Sequence, residues 1–274
     1  MSTDEAVHRI AEKLAGAERA VAFTGAGIST ESGIADFRSP GGVWSRYRTV
    51  YYDEFMASPR ARQEYWAMKR ACWPEFAAAP PNAGHVALAE WEKAGRLAGV
   101  ITQNIDGLHQ LAGSENVLEL HGTQRFVTCV GCGKRWPTEV FFADGDNADA
   151  DAREDEVPTC SACGGWLKPA TVMFGQPLPS DVLSEATRLA ARADLFLAMG
   201  SSLVVEPAAS LPLHAKQAGA FLVIINRDET PADAHADLVL HTPIGETLTA
   251  IAGLLESYSR PHAREFTDGE GSKY

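Results

Sequence analysis

The sequence predicts an α/β protein: an open parallel sheet with a smaller lobe inserted into it. Three observations predict it. Short apolar runs at 20–23, 97–102, 195–199 and 221–225 alternate with helical patterns, as strand–helix crossovers require. The runs end in polar or small residues at 24–25, 102–106, 200–202 and 226–228, so polar groups converge on one sheet edge, where such sheets bind ligands. Two stretches break the alternation, 39–81 with aromatics among charges and 123–168 with four cysteines. The fold class is therefore a Rossmann-like parallel sheet with a smaller inserted lobe, made of a helical module and a four-cysteine module. The crevice between the lobes is the expected active site.

Each element has its own justification. Ala6, Ile10 and Leu14 recur at helical spacing, which predicts a helix from Asp4 to Ala15 ending near Gly16. The apolar run Ala20-Val21-Ala22-Phe23 enters Gly25-Ala26-Gly27-Ile28-Ser29-Thr30. Bare glycines after a strand permit a tight turn and close approach of an anion to backbone N–H groups; an ordinary strand-to-helix turn needs the same residues. An ordinary dinucleotide fingerprint would put a small residue at Thr30 and an acid about 20 positions on. Instead the chain offers Asp36-Phe37-Arg38 in a Gly- and Pro-rich loop, suited to folding over a ligand.

Asn82 follows two prolines and is expected to cap a helix carrying His85, Leu88 and Glu92 to Gly95. The strand at 97–102 then delivers Gln103-Asn104-Ile105-Asp106 at its carboxyl end, and a short apolar segment, Asn116 to Leu120, precedes His121-Gly122. The acid-rich run 144–156 reads as a solvated loop. Further on, helices are expected at 180–191 and 245–256, with a last edge strand at 238–240. The domain boundaries follow: 1–38, 82–122 and 169–258 form the large domain, 39–81 and 123–168 the small one, and 259–274 a disordered tail.

A net charge of −12 and a pI near 5.1 argue against direct nucleic-acid binding, which wants a basic face. No apolar run approaches the roughly 20 residues that span a bilayer, and the first residues lack a signal-peptide pattern. No membrane role and a cytoplasmic location are expected. Cys129-x-x-Cys132 and Cys160-x-x-Cys163 match a tetrahedral zinc site whose four protein ligands leave no open position, so the metal is structural. Cys72 stands apart and reads as packing. Among the histidines, His121 alone sits between a strand-like segment and a glycine, and histidine takes protons near neutral pH.

From Gly25-Ala26-Gly27-Ile28-Ser29 through Asp36-Phe37-Arg38, and over about 15–245 in all, the chain resembles the sirtuin family of NAD-dependent protein-lysine deacylases, bacterial type. Ala35 stands where the family usually has proline. The resemblance implies NAD as co-substrate and one structural zinc. It also implies chemistry in which the acyl-lysine carbonyl oxygen attacks C1′ of the nicotinamide ribose, nicotinamide leaves, and the acyl group passes to ADP-ribose. His121 becomes the base, with Asn104 and Asp106 beside it in catalysis. Cofactor contacts fall on Gly25, Ala26, Gly27, Ser29, Thr30, Asp36, Phe37, Arg38, Trp44, Gln103, Asn104, Ile105, Asp106, His121, Gly200, Ser201, Ser202, Asn226 and Arg227. Val172, Phe174, Gly175, Leu203 and Val204 become the edges that take an acyl-lysine segment of a partner protein.

Two other functions use the same parts: mono-ADP-ribosyl transfer, and a non-catalytic scaffold sensing NAD or ADP-ribose. The expected acyl preference is acetyl over succinyl by at least about tenfold, because Ala67 and Met68 would form an apolar wall where succinyl-selective relatives have arginine three places after a tyrosine.

Overall fold

The computed structural model describes residues 1–35, 46–142 and 157–258. Asp36, Phe37, Arg38, Trp44, the acidic run and the tail lie outside the described residues. Six strands form an all-parallel sheet in the order β3-β2-β1-β7-β8-β9. They are β1 (Ala20–Thr24), β2 (Leu97–Thr102), β3 (Val117–Glu119), β7 (Leu195–Met199), β8 (Phe221–Ile225) and β9 (Leu238–Leu240). The chain builds outward from β1 on one side, then returns to build outward on the other. The order therefore reverses between β1 and β7, and a crevice opens at their carboxyl ends.

Period-2 alternation puts Ala20, Ala22, Leu197 and Val223 on one face and Val21, Phe23, Phe196 and Leu222 on the other. Helices α1 (Thr3–Gly16), α4 (Ala83–Lys93) and α9 (Ile244–Leu255) cover the first face, and α7 (Ser180–Ala191) and α8 (Leu211–Gln217) the second. Both faces of every central strand are thus buried, which is why these runs are continuously apolar. The Asn82 cap is as expected, its Oδ1 accepting from the backbone N–H of Gly84 at 2.9 Å. Its amide also donates to Ile28 O at 2.7 Å and to Ser32 Oγ at 2.9 Å, fastening α4 to the glycine loop.

The second lobe combines helices α2 (Tyr52–Ala57) and α3 (Pro59–Ala78) with an antiparallel sheet ordered β5-β4-β6. These strands are β4 (Gly122–Cys129), β5 (Arg135–Pro137) and β6 (Leu167–Thr171). Phe55, Tyr65 and Trp66 share one core with Val127, Cys129, Cys160 and Leu167. The Trp66 indole donates to Leu167 O at 3.0 Å. The buried Arg62 guanidinium donates to Phe55 O at 2.8 Å and lies 3.9 Å from the Trp166 ring centroid. Helical module and cysteine module are one packed unit, although 40 residues of the large domain, 82–121, separate them in sequence.

Candidate active site

A cavity of about 660 Å³ lies at the carboxyl edge of the large sheet, against the second lobe. Gly25, Ala26, Gly27 and Thr30 line one end, with Gly200, Ser201 and Ser202 after β7 and Asn226 and Arg227 after β8. The first two loops touch backbone to backbone. Gly25 N donates to Met199 O at 3.0 Å, and Gly27 N to Gly200 O at 2.8 Å. A Cβ at Gly25 would sit 2.6 Å from Gly200 O, so only glycine fits. Removing side chains here leaves bare backbone facing the crevice, which suits a pyrophosphate.

In the centre, Gln103 donates from Nε2 to Ser201 Oγ at 2.7 Å, bridging β2 to the loop after β7. Asn104 is buried; its amide donates to Gly25 O and to Ser29 Oγ, both at 3.1 Å. The Asp106 carboxylate accepts from Ser29 Oγ at 2.7 Å and from the backbone N–H of Leu108 at 2.9 Å. Asp106 and Ser29 are not among the residues lining the cavity; they stand one layer behind and hold Asn104 and the glycine loop in place. His121 lines the cavity, half-buried, with Nδ1 2.9 Å from Gln103 O. A carbonyl can only accept, so Nδ1 carries the proton there and Nε2 is the ring atom able to take one.

Behind these residues lies a buried histidine pair. His85 and His109 meet edge to face with centroids 4.9 Å apart, and burial holds both below the usual imidazole range, His109 at about 3. Both are neutral supports. His109 Nε2 lies 2.8 Å from Thr24 Oγ1 at the end of β1.

At the inner end the cavity is lined by Tyr65, Met68 and Lys69 of α3 and by Thr171 and Met173. The Tyr65 hydroxyl lies 3.2 Å from Thr171 Oγ1, and burial raises its pKa. The expected apolar wall of Ala67 and Met68 is not what the fold builds. Ala67 is exposed and Lys69 takes the place beside Met68, because residues i, i+3 and i+4 share a helix face. Arg70 instead lies with its guanidinium 5.6 Å from the Trp66 ring centroid.

Of the expected substrate edges, Val172, Phe174 and Gly175 line the cavity. Leu203 is buried behind it with φ +51°, and Val204 is 54% exposed at the surface. Neither segment is a strand; Val172 N donates to His121 O at 2.7 Å, and Phe174 O accepts from Tyr52 N at 2.9 Å. His241, a histidine that sequence alone gave no role, also lines the cavity; its Nδ1 lies 2.8 Å from Asn226 O.

The four cysteine sulfurs Cys129, Cys132, Cys160 and Cys163 lie within 4.8 Å of one another. Cys129 and Cys163 are 3.5 Å apart and Cys132 and Cys160 3.7 Å, against ~3.8 Å for sulfurs on a tetrahedral zinc with ~2.3 Å bonds. Gly131 and Cys132 N–H groups point at Cys129 Sγ. These donors, the Cys132 N–H foremost, pull the Cys129 thiol down to about 6. Gly165 N–H works the same way on Cys163, but its three cysteine neighbours win and push it up to about 12. Four thiolates cannot crowd together uncompensated, and a divalent ion supplies the compensation. The donor set and spacing fit a structural zinc.

The fold and site define a class: a two-lobed dinucleotide-dependent enzyme with a histidine on the crevice floor and a zinc-stapled second lobe. Residues 25–207 match the family model described as Sir2 family. The chain is 50% identical over 258 residues to an NAD-dependent protein deacetylase of Rhodopseudomonas palustris, covering 92% of this chain and 98% of that one. It is 45% identical to one of Thermodesulfovibrio yellowstonii, covering 94% and 98%. Among solved structures it is similar to a Sir2–p53 peptide–NAD+ complex (TM-score 0.79, 37% identity, 92% and 98% covered). A Sir2 homologue with ADP-ribose gives a TM-score of 0.81 at 38% identity, 90% and 96% covered. The chain belongs to the Sir2 family.

Proposed function

We propose that this protein is an NAD-dependent protein-lysine deacetylase that transfers the acetyl group to ADP-ribose and releases nicotinamide. The observation that carries it is the placing of His121, its tautomer set by Gln103 O, in one cavity with the glycine cradle and the Val172–Gly175 edge. Named relatives at 50% and 45% identity are NAD-dependent protein deacetylases.

On this reading each residue of the cavity takes a role that its position supports. The loops at 25–27 and 200–202 take the pyrophosphate and Asn226–Arg227 the adenosine end. Asn104, positioned by Ser29 and Asp106, faces the nicotinamide ribose. Bound NAD supplies an electrophilic C1′ with a good leaving group. His121 Nε2 takes the proton from a ribose hydroxyl, and the Nδ1–H bond to Gln103 O stabilises the resulting imidazolium. The partner is an acyl-lysine segment seated along 172–175 and 203–204, with 1–38, 82–122 and 169–258 forming the cofactor domain and 39–81 and 123–168 the second domain. Among the described residues no helix is long and apolar enough to cross a membrane. The cytoplasm is the proposed compartment, since four metal-binding thiols need a reducing environment.

The test is an incubation with NAD and an acetyl-lysine peptide. Nicotinamide and deacetylated peptide in equal amounts is the expected result. ADP-ribose attached to protein, with the peptide still acetylated, would move the assignment to mono-ADP-ribosyl transfer; no nicotinamide at all would move it to a sensing scaffold.

A further inference from the structure

Asn104 is held at two separate points. Its side-chain amide gives both N–H groups to the protein, to Gly25 O and to Ser29 Oγ, each at 3.1 Å. Oδ1 is then the atom able to accept from a hydroxyl in the cavity. Its main-chain N–H donates to Thr102 Oγ1 at 3.0 Å. Thr102 Oγ1 also accepts from Thr24 Oγ1 at 2.8 Å, across the register that pairs the last residues of β1 and β2. Both threonines are buried, so bulk water does not reach these groups.

The chain of hydrogen bonds continues to His109, on the short helix α5 (Leu108–Ala112). Asp106 Oδ1 fastens the start of that helix by accepting from Leu108 N, and His109 reaches back to the end of β1. The segment 102–109 thus closes on itself. His109 Nε2 lies 2.8 Å from Thr24 Oγ1. A hydroxyl has one proton, and Thr24 gives its own to Thr102, so Nε2 carries the ring proton and donates. Burial, followed by the neighbouring His85, holds the ring neutral with a pKa of about 3, so this tautomer persists at neutral pH. The other ring nitrogen, Nδ1, is buried with no partner among the described residues. An unpaired buried acceptor is destabilising, and leucine or phenylalanine would fill the space without one. Packing alone does not account for an imidazole here.

We propose that His109 is a positioning residue for the reaction, acting through Thr24 and Thr102 to hold Asn104 Oδ1 at the nicotinamide ribose. The proposal rests on the deacetylase reading and adds to it a residue that does not line the cavity. Without the His109 N–H, Thr24 is free to turn its hydroxyl away from Thr102. Thr102 then loses the donor that orients its oxygen toward Asn104, and the backbone at 104 gains freedom. Misplacing an orienting group by about 1 Å costs up to about a hundredfold in rate. Cofactor affinity is spread over the glycine loops, whose backbone contacts do not pass through His109. The loss therefore falls on kcat and spares KM for NAD.

The experiment measures kcat and KM for NAD with an acetyl-lysine peptide, each protein held below its melting temperature. The proteins are wild type, His109→Phe, His109→Gln, Thr102→Val and the double variant His109→Phe/Thr102→Val. His109→Phe is expected to lower kcat at least about tenfold, with KM for NAD within about threefold of wild type. His109→Gln, whose amide offers a donor in place of Nε2, should keep kcat within about threefold. The double variant should be no slower than Thr102→Val, because both changes cut one chain. A His109→Phe protein that keeps more than about half of kcat marks a packing residue and overturns the proposal. A glutamine variant as slow as the phenylalanine one overturns it too, as do losses that multiply in the double variant. If His109→Phe does not fold, Thr24→Val and Thr24→Ser decide. Valine should then show the loss in kcat and serine should not, and equal rates overturn the proposal. Turnover by wild type with unaffected variants removes this proposal alone; no turnover by wild type removes the deacetylase reading with it.

Discussion

Replacing Gly200 by alanine probes the contact between the two loops that build the cofactor cradle. Gly200 has φ +63°, a conformation that costs an L-residue roughly 1–2 kcal/mol. Its new Cβ would lie 2.5 Å from Ile28 N and 2.8 Å from Gly27 C, both backbone atoms that cannot rotate away. Forced overpacking of this sort adds roughly 1–3 kcal/mol. The sum, roughly 2–5 kcal/mol, corresponds to a fall in melting temperature of about 4–20 °C for a chain of this size. Gly33→Ala separates the two contributions, since Gly33 has φ +86° but nothing within 4 Å of its Cβ position. It should lose the conformational part only. Gly16→Ala, with neither burden, should lose nothing. Thermal denaturation of the three proteins without cofactor gives the order, and calorimetric titration with NAD should show at least a tenfold loss of affinity for Gly200→Ala alone. A Gly200→Ala protein that melts no lower than Gly33→Ala would refute the reading of the two loops as a fixed, touching pair.

The remaining predictions concern the base, the metal and a buried amine. His121→Ala should lower deacetylation at least about hundredfold while NAD affinity, read by the same titration, stays within about threefold; a variant keeping a tenth of wild-type turnover would remove His121 from the chemistry. Purified protein should hold one zinc per chain, and Cys160→Ser or chelation should unfold the second lobe and abolish activity together; metal-free protein with full activity would contradict this. Lys168, lowered by burial and then by Lys69 to about 7, binds fewer protons folded than unfolded between pH 7 and its ordinary value near 10.5. Stability should therefore rise with pH across that window, by up to about 1.4 kcal/mol per unit. In Lys168→Met the slope measured by urea denaturation should be shallower; an identical slope would show that Lys168 is charged and well solvated in the fold.

The parts of the fold legible in the sequence were those with a single physical demand. The strands 195–199 and 221–225 are buried on both faces and bounded by turn residues, so their limits could be read directly. The Asn82 cap and the four-cysteine site were legible for the same reason. The second lobe's sheet was not. Its β4 buries Thr123 and Gln124, and β6 buries Lys168, polar residues that hide the strand pattern because they back the cavity. Lys69 escapes the sequence pattern through register: it stands at i+4 from Tyr65, and the i+3 spacing points to Met68 instead. His241 has no motif around it, and only the approach of the loop after β9 to Asn226 brings it to the cavity. Asp106 reads in sequence as a ligand contact, and the structure adds a second task, since its oxygens accept from Ser29 and Leu108.

The reversal of strand order at β1 also sets a timetable for synthesis. β1 pairs on one side with β2 and on the other with β7, which begins only at Leu195. At ~5–20 residues per second a nascent chain needs roughly 9–34 seconds to travel from the end of β1 to β7. Throughout that interval Ala20–Thr24, apolar on both faces, has one bare hydrogen-bonding edge. The second lobe waits as well, because α3 is complete long before Leu167 arrives to accept from Trp66. The same arrangement that places the cofactor crevice at the centre of the sheet thus delays the burial of its first strand until most of the chain has left the ribosome, and ties successful folding to protection of that edge in the meantime.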